Sequence, residues 1–237
     1  LEQTIGPIQR VMRPEVEQPE DLFALASTSL VALLVVGDPL QATTHVDLQL
    51  QAAEAGIECR VFHGISITTL VTGAIGLSNY RFGRQTTLTY PYGGWVATSP
   101  LETIIVNRYT GLHTLALLDL DPTGLGTGDQ RPMMPDDAVA SIELMRLKIE
   151  AGLAEREFSD GNPSDLLTKA ALQSFVEEDA LQMRVVLCSD MGTDDQRIVS
   201  TTVEGLSKQA GGRLNCIIFP ATTGEVEEKA LVRWEQE

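Results

Sequence analysis

Apolar and polar positions along this chain fall into blocks whose period changes. Ala32-Leu33-Leu34-Val35-Val36 is a continuous apolar run closed by Gly37-Asp38-Pro39, and it reads as a buried strand over 33–36 ending in a tight turn. Around it the pattern predicts a helix over 20–27, a helix over 44–55, a strand over 57–62 and a helix over 66–77. That alternation predicts βαβ units and a mostly parallel sheet. From Tyr80 to Gln85 no period survives, which places a domain junction there, with an α/β domain over 1–83 and a second over 84–237.

The second half opens on a strand over 86–90 and a turn-rich Pro91-Tyr92-Gly93-Gly94-Trp95, followed by a helix over 100–110 and a strand over 114–120. A loop over 121–132 leads to Pro135-Asp136-Asp137, where an imino acid and two carboxylates suit the first turn of a helix. Its apolar positions Val139, Ile142, Met145 and Ile149 recur at three and four. Strands over 184–189 and 214–219 and helices over 203–209 and after Gly224 complete the reading. The fold class expected is α/β, with a mixed sheet in the second domain.

Asp38 stands at the carboxyl end of its expected strand, where open α/β sheets read a ligand's polar groups. The competing reading is an Asp chosen to make a turn before Pro39. With Gln41 after the same strand, Ser66 and Ile67 after the next and Leu118 at the end of a third, the strand ends offer a mixed polar and apolar lining. Such a lining suits a ligand carrying an amino acid head, a ribose and an aromatic base.

Composition narrows the classes. The chain has 237 residues, 43% of them hydrophobic, enough for one large core or two modest ones. With 33 acidic against 17 basic residues the formal charge is −16, which repels phosphate backbones and argues against nucleic acid as a partner. Acidity this strong also suits a cytoplasm of high salt. No apolar stretch approaches a membrane span. Leu1-Glu2-Gln3-Thr4-Ile5-Gly6 has neither an initiator Met nor a signal profile, and is expected to open a fragment. Cys59, Cys188 and Cys216 lie in strand-like runs and read as buried thiols in a reducing compartment. Asn162-Pro163-Ser164 has Pro in its middle and cannot be a glycosylation site.

Several chemical constellations fall away. Gly64-Ile65-Ser66-Ile67-Thr68 lacks the last Gly of a nucleophile elbow, so Ser66 is better read as a helix cap. His45, His63 and His113 have no second ligand nearby in sequence and default to partly buried structural imidazoles, with no metal expected. Gly124-Leu125-Gly126-Thr127-Gly128 leads into Asp129-Gln130-Arg131-Pro132 and not into a helix, so it makes a poor phosphate cradle.

Four blocks in register carry a resemblance: Gly37-Asp38-Pro39-Leu40 with Ala42-Thr43-Thr44-His45, Val61-Phe62-His63-Gly64-Ile65-Ser66-Ile67, Gly76-Leu77-Ser78-Asn79-Tyr80-Arg81-Phe82-Gly83, and Gly111-Leu112-His113-Thr114-Leu115 running to Leu118-Asp119. Together they closely resemble the diphthine synthase family of tetrapyrrole-methylase-like methyltransferases, strongly to about Arg146 and more loosely to Trp234. The resemblance implies a two-domain fold with S-adenosylmethionine in the crevice between domains, and cofactor contacts at Asp38, Gln41, Ser66, Ile67 and Leu118. By strand order it extends these to Met191 and Asn215, at positions the family usually gives to a small residue and a histidine. Gln41 also departs from a position more often apolar. The stretch from Phe158 to Gln182 is longer than the family leads one to expect. The family begins with a strand ending in a G-x-G-L turn, and this chain starts roughly forty residues too late to hold it, judged by ordinary βα unit sizes. Its sheet would then lack a central strand.

The activity implied is successive N-methylation of the modified histidine of translation elongation factor 2 in diphthamide biosynthesis, by a cytoplasmic homodimer. No catalytic side chain is expected, because a sulfonium donor is already activated and the protein need only align an amine and exclude water. A methyltransferase of the same fold acting on a corrinoid or on ribosomal RNA would share the crevice. Acidity counts against RNA, and the Gly111-to-Leu115 block favours the diphthine branch. A non-catalytic binding protein is the remaining class.

Overall fold

The computed structural model describes residues 2–124 and 130–235. Backbone packing divides them into two compact units, one of residues 2–67 and one of 68–124 with 130–235. This division falls earlier in the chain than the junction expected between Gly83 and Arg84.

In the first unit the helices are α1 (Glu2–Ile5), α2 (Arg13–Glu17), α3 (Glu20–Ala26) and α4 (His45–Glu54). Its last residue, Ile67, begins α5 (Ile67–Ala74). The runs over 33–36 and 57–62, expected as strands, form none. A strand exists only in a ladder, and among the described residues neither run has a pairing partner. Their last side chains face water, Val36 being 89% exposed and Phe62 85% exposed, while Leu33, Val35, Ile57 and Val61 are half-buried. Cys59, expected to be buried, is exposed for the same reason.

The second unit holds β1 (Thr86–Leu88), α6 (Ser99–Tyr109), β2 (Thr114–Leu118), α7 (Pro135–Gly152), α8 (Pro163–Phe175), β3 (Arg184–Ser189), β4 (Arg197–Thr202), α9 (Val203–Leu206), β5 (Asn215–Phe219) and α10 (Glu225–Val232). The sheet runs β1-β2-β5-β3-β4, with β1 and β2 parallel and the remaining pairs antiparallel. Every residue of β5 is buried, as a central strand covered on both faces requires. Along α7 the expected positions Ile142, Met145 and Ile149 are buried in the core, and Val139 packs against it. The helix starts where the carboxylates predict, because Asp137 accepts the Met134 amide at 3.1 Å. Truncating a side chain such as Met145 to Ala would cost about 2–5 kcal/mol.

Besides α1 and α2 in the first unit, two of the second unit's helices and strands named above lie outside the sequence reading. The helix α8 accounts for much of the long stretch after Phe158, and Asn162 caps it by accepting the Ser164 amide at 3.0 Å. The edge strand β4 pairs along its whole length with β3. Gly83 lies so close to Asn107 that a methyl group there would sit 2.3 Å from its Oδ1.

Candidate functional site

Four of the expected contact residues lie in the first unit, on two adjoining turns. Gly37, at φ +85°, bends the chain after the first apolar run, and Asp38 follows. The Asp38 Oδ1 accepts the Leu40 amide at 2.9 Å, which is the turn-making role. Its Oδ2 is engaged separately by the His63 Nδ1 at 2.8 Å. The Leu40 amide first, then the His63 ring, hold the Asp38 carboxyl below the ordinary carboxylate range. His63 is thus not the partly buried structural imidazole expected: its side chain is 69% exposed, against 10% for that of Asp38. Gln41 is exposed and donates its amide to the Asp38 carbonyl at 3.3 Å. Ser66 is buried immediately before α5, and Ile67 is half-buried at its first position.

The other three lie in the second unit, and the sheet register brings them to one edge. Leu118 ends β2, Leu117 pairs with Cys216, and Asn215 therefore begins β5 beside Leu118. Asn215 in turn pairs with Ser189 at the end of β3, two residues before Met191. Asp190, between them, adopts φ +49° while its Oδ1 accepts the Arg213 and Leu214 amides at 2.8 and 3.1 Å. The Asn215 side chain is fully occupied. Its Oδ1 accepts the Ser189 hydroxyl and the Gly212 amide, each at 2.8 Å, and its Nδ2 donates to the carbonyls of Met133 and Gly212, each at 3.2 Å.

At the same edge Asp119, next after Leu118, organises a further set that the sequence did not disclose. Its carboxylate accepts the Leu120 amide at 2.8 Å, the Asp121 amide at 3.1 Å, the Tyr90 amide at 3.3 Å and the Tyr92 hydroxyl. Burial and then Asp119 push the Tyr92 phenol well above its usual range. Burial and then Asp137 push the Tyr90 phenol up to about 12. Both phenols therefore stay protonated as donors at any physiological pH. Of the glycine cluster weighed as a phosphate cradle, 125–129 lie outside the described residues.

Among the described residues there is no cluster of three or more His, Cys, Asp or Glu placed to hold a metal ion, and no helix long and apolar enough to cross a membrane. Each unit offers its own candidates: turn residues in the first, with the Asp38 carboxylate and the buried Ser66, and strand-end residues in the second, with Leu118 and Asn215.

Comparison with known proteins gives the class of the chain. Residues 9–122 match the family of Tetrapyrrole (Corrin/Porphyrin) Methylases, and the chain has the fold of that class. The diphthine synthase of Methanoregula boonei is 38% identical over 148 residues, 62% of this chain but only 56% of that protein. That of Methanocella arvoryzae is 36% identical over 197 residues, covering 74% of this chain and 77% of the relative. A crystal structure of a diphthine synthase, 26% identical, superposes with a TM-score of 0.75 over 99% of this chain and 78% of the other. The chain belongs to the diphthine synthase family.

Proposed function

We propose that this protein transfers methyl groups from S-adenosylmethionine to the amino group of the modified histidine of translation elongation factor 2, in diphthamide biosynthesis. Family membership supports the reaction class. The observation that carries the site reading is the sheet register that brings Leu118, Asn215 and the chain before Met191 to one edge. In the first unit, Asp38 offers an ionised acceptor for a ribose hydroxyl or an ammonium, and Ser66 and Ile67 offer a buried hydroxyl and an apolar wall. Because the Asn215 side chain is saturated, its contribution to a ligand comes from the main chain.

When bound, S-adenosylmethionine supplies a methyl group on a positively charged sulfur, a leaving group that needs no acid. The protein's share is to bind, to orient the amine in line and to keep water away. Asp38 acts as a binder, and no side chain is assigned to proton transfer. The turn from Tyr92 to Trp95, held by reciprocal amide bonds at 2.9 and 3.0 Å, is read as part of the acceptor's approach. A homodimer in the cytoplasm completes the proposal, and the exposed Leu144 and Leu147 on α7 supply apolar surface for it.

The test is transfer of labelled methyl from S-adenosylmethionine to elongation factor 2 carrying the aminocarboxypropyl group on its histidine, with unmodified factor as control. Labelling of the modified factor alone is expected. Equal labelling of both, or labelling of ribosomal RNA or a corrinoid instead, overturns the assignment. Light scattering that finds only a 25.7 kDa species at micromolar concentration overturns the dimer.

A further inference from the structure

The two turns that carry Asp38 and Ser66 are separated by 25 residues between Asp38 and His63, yet a side-chain bond joins them. We infer that His63 is a positioning residue for the cofactor site: it clasps the Gly37-Asp38 turn to the segment leading into α5, through the second oxygen of Asp38. The inference rests on the reading of Asp38 as a cofactor contact.

Three observations carry it. The first is the division of work on the carboxylate. A turn-making aspartate needs one oxygen, and Oδ1 serves the Leu40 amide at 2.9 Å. Oδ2 is directed instead to the His63 Nδ1 at 2.8 Å. An ionised carboxylate only accepts, so Nδ1 carries the proton and the ring is fixed in orientation. The second is backbone proximity. A methyl group built on Gly64 would stand 2.2 Å from the Gly37 carbonyl oxygen, so the two turns touch main chain to main chain at the residue after His63. Only glycine permits that approach. The third is the support on the far side of the same turn, where the His45 Nδ1 lies 2.8 Å from the Pro39 carbonyl oxygen. The Gly37-to-Leu40 turn is thereby held by His63 through its carboxylate and by His45 through its main chain.

The consequence follows from distance along the chain. Ser66 and Ile67 come three and four residues after His63, so fixing His63 on Asp38 fixes the spacing between the Asp38 carboxylate and the start of α5. Preorganising two halves of a binding site lowers the ordering cost of binding and leaves the chemical step largely alone. The effect is therefore expected in cofactor affinity and in KM for the cofactor more than in kcat.

The experiment is titration calorimetry with S-adenosylmethionine, with steady-state kinetics, on the full chain and on Asp38→Ala, His63→Ala, His63→Asn and His63→Gln, each checked for fold by circular dichroism. Asn places its amide nitrogen where Nδ1 stands, and Gln places it near Nε2. Loss of a charge-assisted bond at a partly exposed pair predicts roughly fivefold to tenfold weaker binding for His63→Ala and His63→Gln. His63→Asn should return to within about twofold of the parent, with KM rising more than kcat falls in the impaired variants. Weakened binding in Asp38→Ala with unchanged affinity in His63→Ala and His63→Gln overturns the clasp and leaves the cofactor site standing. Unchanged affinity in Asp38→Ala, or no binding by the parent chain, removes the site and the clasp with it. Should His63→Ala fail to fold, the Asn and Gln variants decide: equal affinity in the two overturns the inference.

Discussion

His113 and Glu227, 114 residues apart, meet inside the second unit with the His113 Nε2 3.3 Å from a carboxylate oxygen of Glu227. The imidazole is fully buried, and its Nδ1 accepts the Ala221 amide at 2.9 Å. Those two partners require the neutral ring with its proton on Nε2. The same carboxylate receives Arg81 at 2.6 Å and the Ser78 and Gly224 amides at 3.0 and 2.9 Å. The Gly76-to-Gly83 and Gly111-to-Leu115 blocks are thus pinned to α10 by one glutamate.

This arrangement predicts acid sensitivity. Burial, opposed by Glu227, lowers the His113 pKa below its ordinary 6.5, so the unfolded chain binds a proton there that the folded chain refuses. Stability falls as pH drops through that value. Burial alone would raise the Glu227 carboxyl, but the Gly224 and Ser78 amides, His113 and Arg81 outweigh it and bring it from 4.5 to about 2. Its stabilisation is present above 4.5 and is lost as pH falls from there towards about 2. Thermal melts across pH 7 to 3 should show a declining midpoint, and Glu227→Gln should lose about 3 kcal/mol at neutral pH. A flat midpoint between pH 7 and 5 would count against a buried neutral His113.

Asn215→Ala leaves a hydroxyl, an amide and two carbonyls without their partner at the sheet edge. The expected loss is about 2–3 kcal/mol in urea unfolding. Asn215→Asp keeps the acceptor but loses both donors, and should fall between the parent and the alanine variant.

Gly83→Ala directs a methyl group into Asn107, whose Nδ2 is committed to the Arg84 carbonyl at 2.8 Å and the Thr114 hydroxyl at 2.9 Å. Overpacking of this kind costs about 1–3 kcal/mol. A denaturation midpoint equal to that of the parent chain would show that Asn107 can move aside at no cost.

Thiol accessibility separates the three cysteines. Cys59 is exposed, whereas Cys188 and Cys216 are buried as cross-strand neighbours on β3 and β5. The contact with Cys216, then burial, pushes the Cys188 thiol well above its ordinary range, which slows its reaction further. A colorimetric thiol reagent should label one cysteine rapidly in the native protein and all three after denaturation. Rapid native labelling of two or more would contradict the packing of β5.

What the sequence made legible was what local pattern decides. Arg184 to Ser189 reads as a strand and is β3, and the spacing of Ile142, Met145 and Ile149 places the buried face of α7. The signals for α8 were present as well, with Asn162 and Pro163 at a cap and first position, but an unexpectedly long connection hid them. The runs over 33–36 and 57–62 have strand composition without strand structure, because composition records side-chain preference and a ladder requires a neighbour. Asp38, Gln41, Ser66, Ile67 and Leu118 could be listed by motif, and Met191 and Asn215 only by strand order. The His63–Asp38 bond, the four bonds of Asn215 and the Tyr92–Asp119 pair could not, since each joins segments whose proximity only the fold creates.

The place of β5 in the sheet bears on how the molecule is made. Residues 215–219 fill the slot between β2 and β3, so the last of this sheet's five strands in chain order is the one on which both earlier pairings close. Until those residues leave the ribosome, β2 presents an open edge where β5 will lie, and β3 and β4 can form only their own hairpin. Closure of the sheet therefore waits on synthesis of its other four strands, and a pause in translation upstream of Asn215 would leave an open template for pairing with other chains.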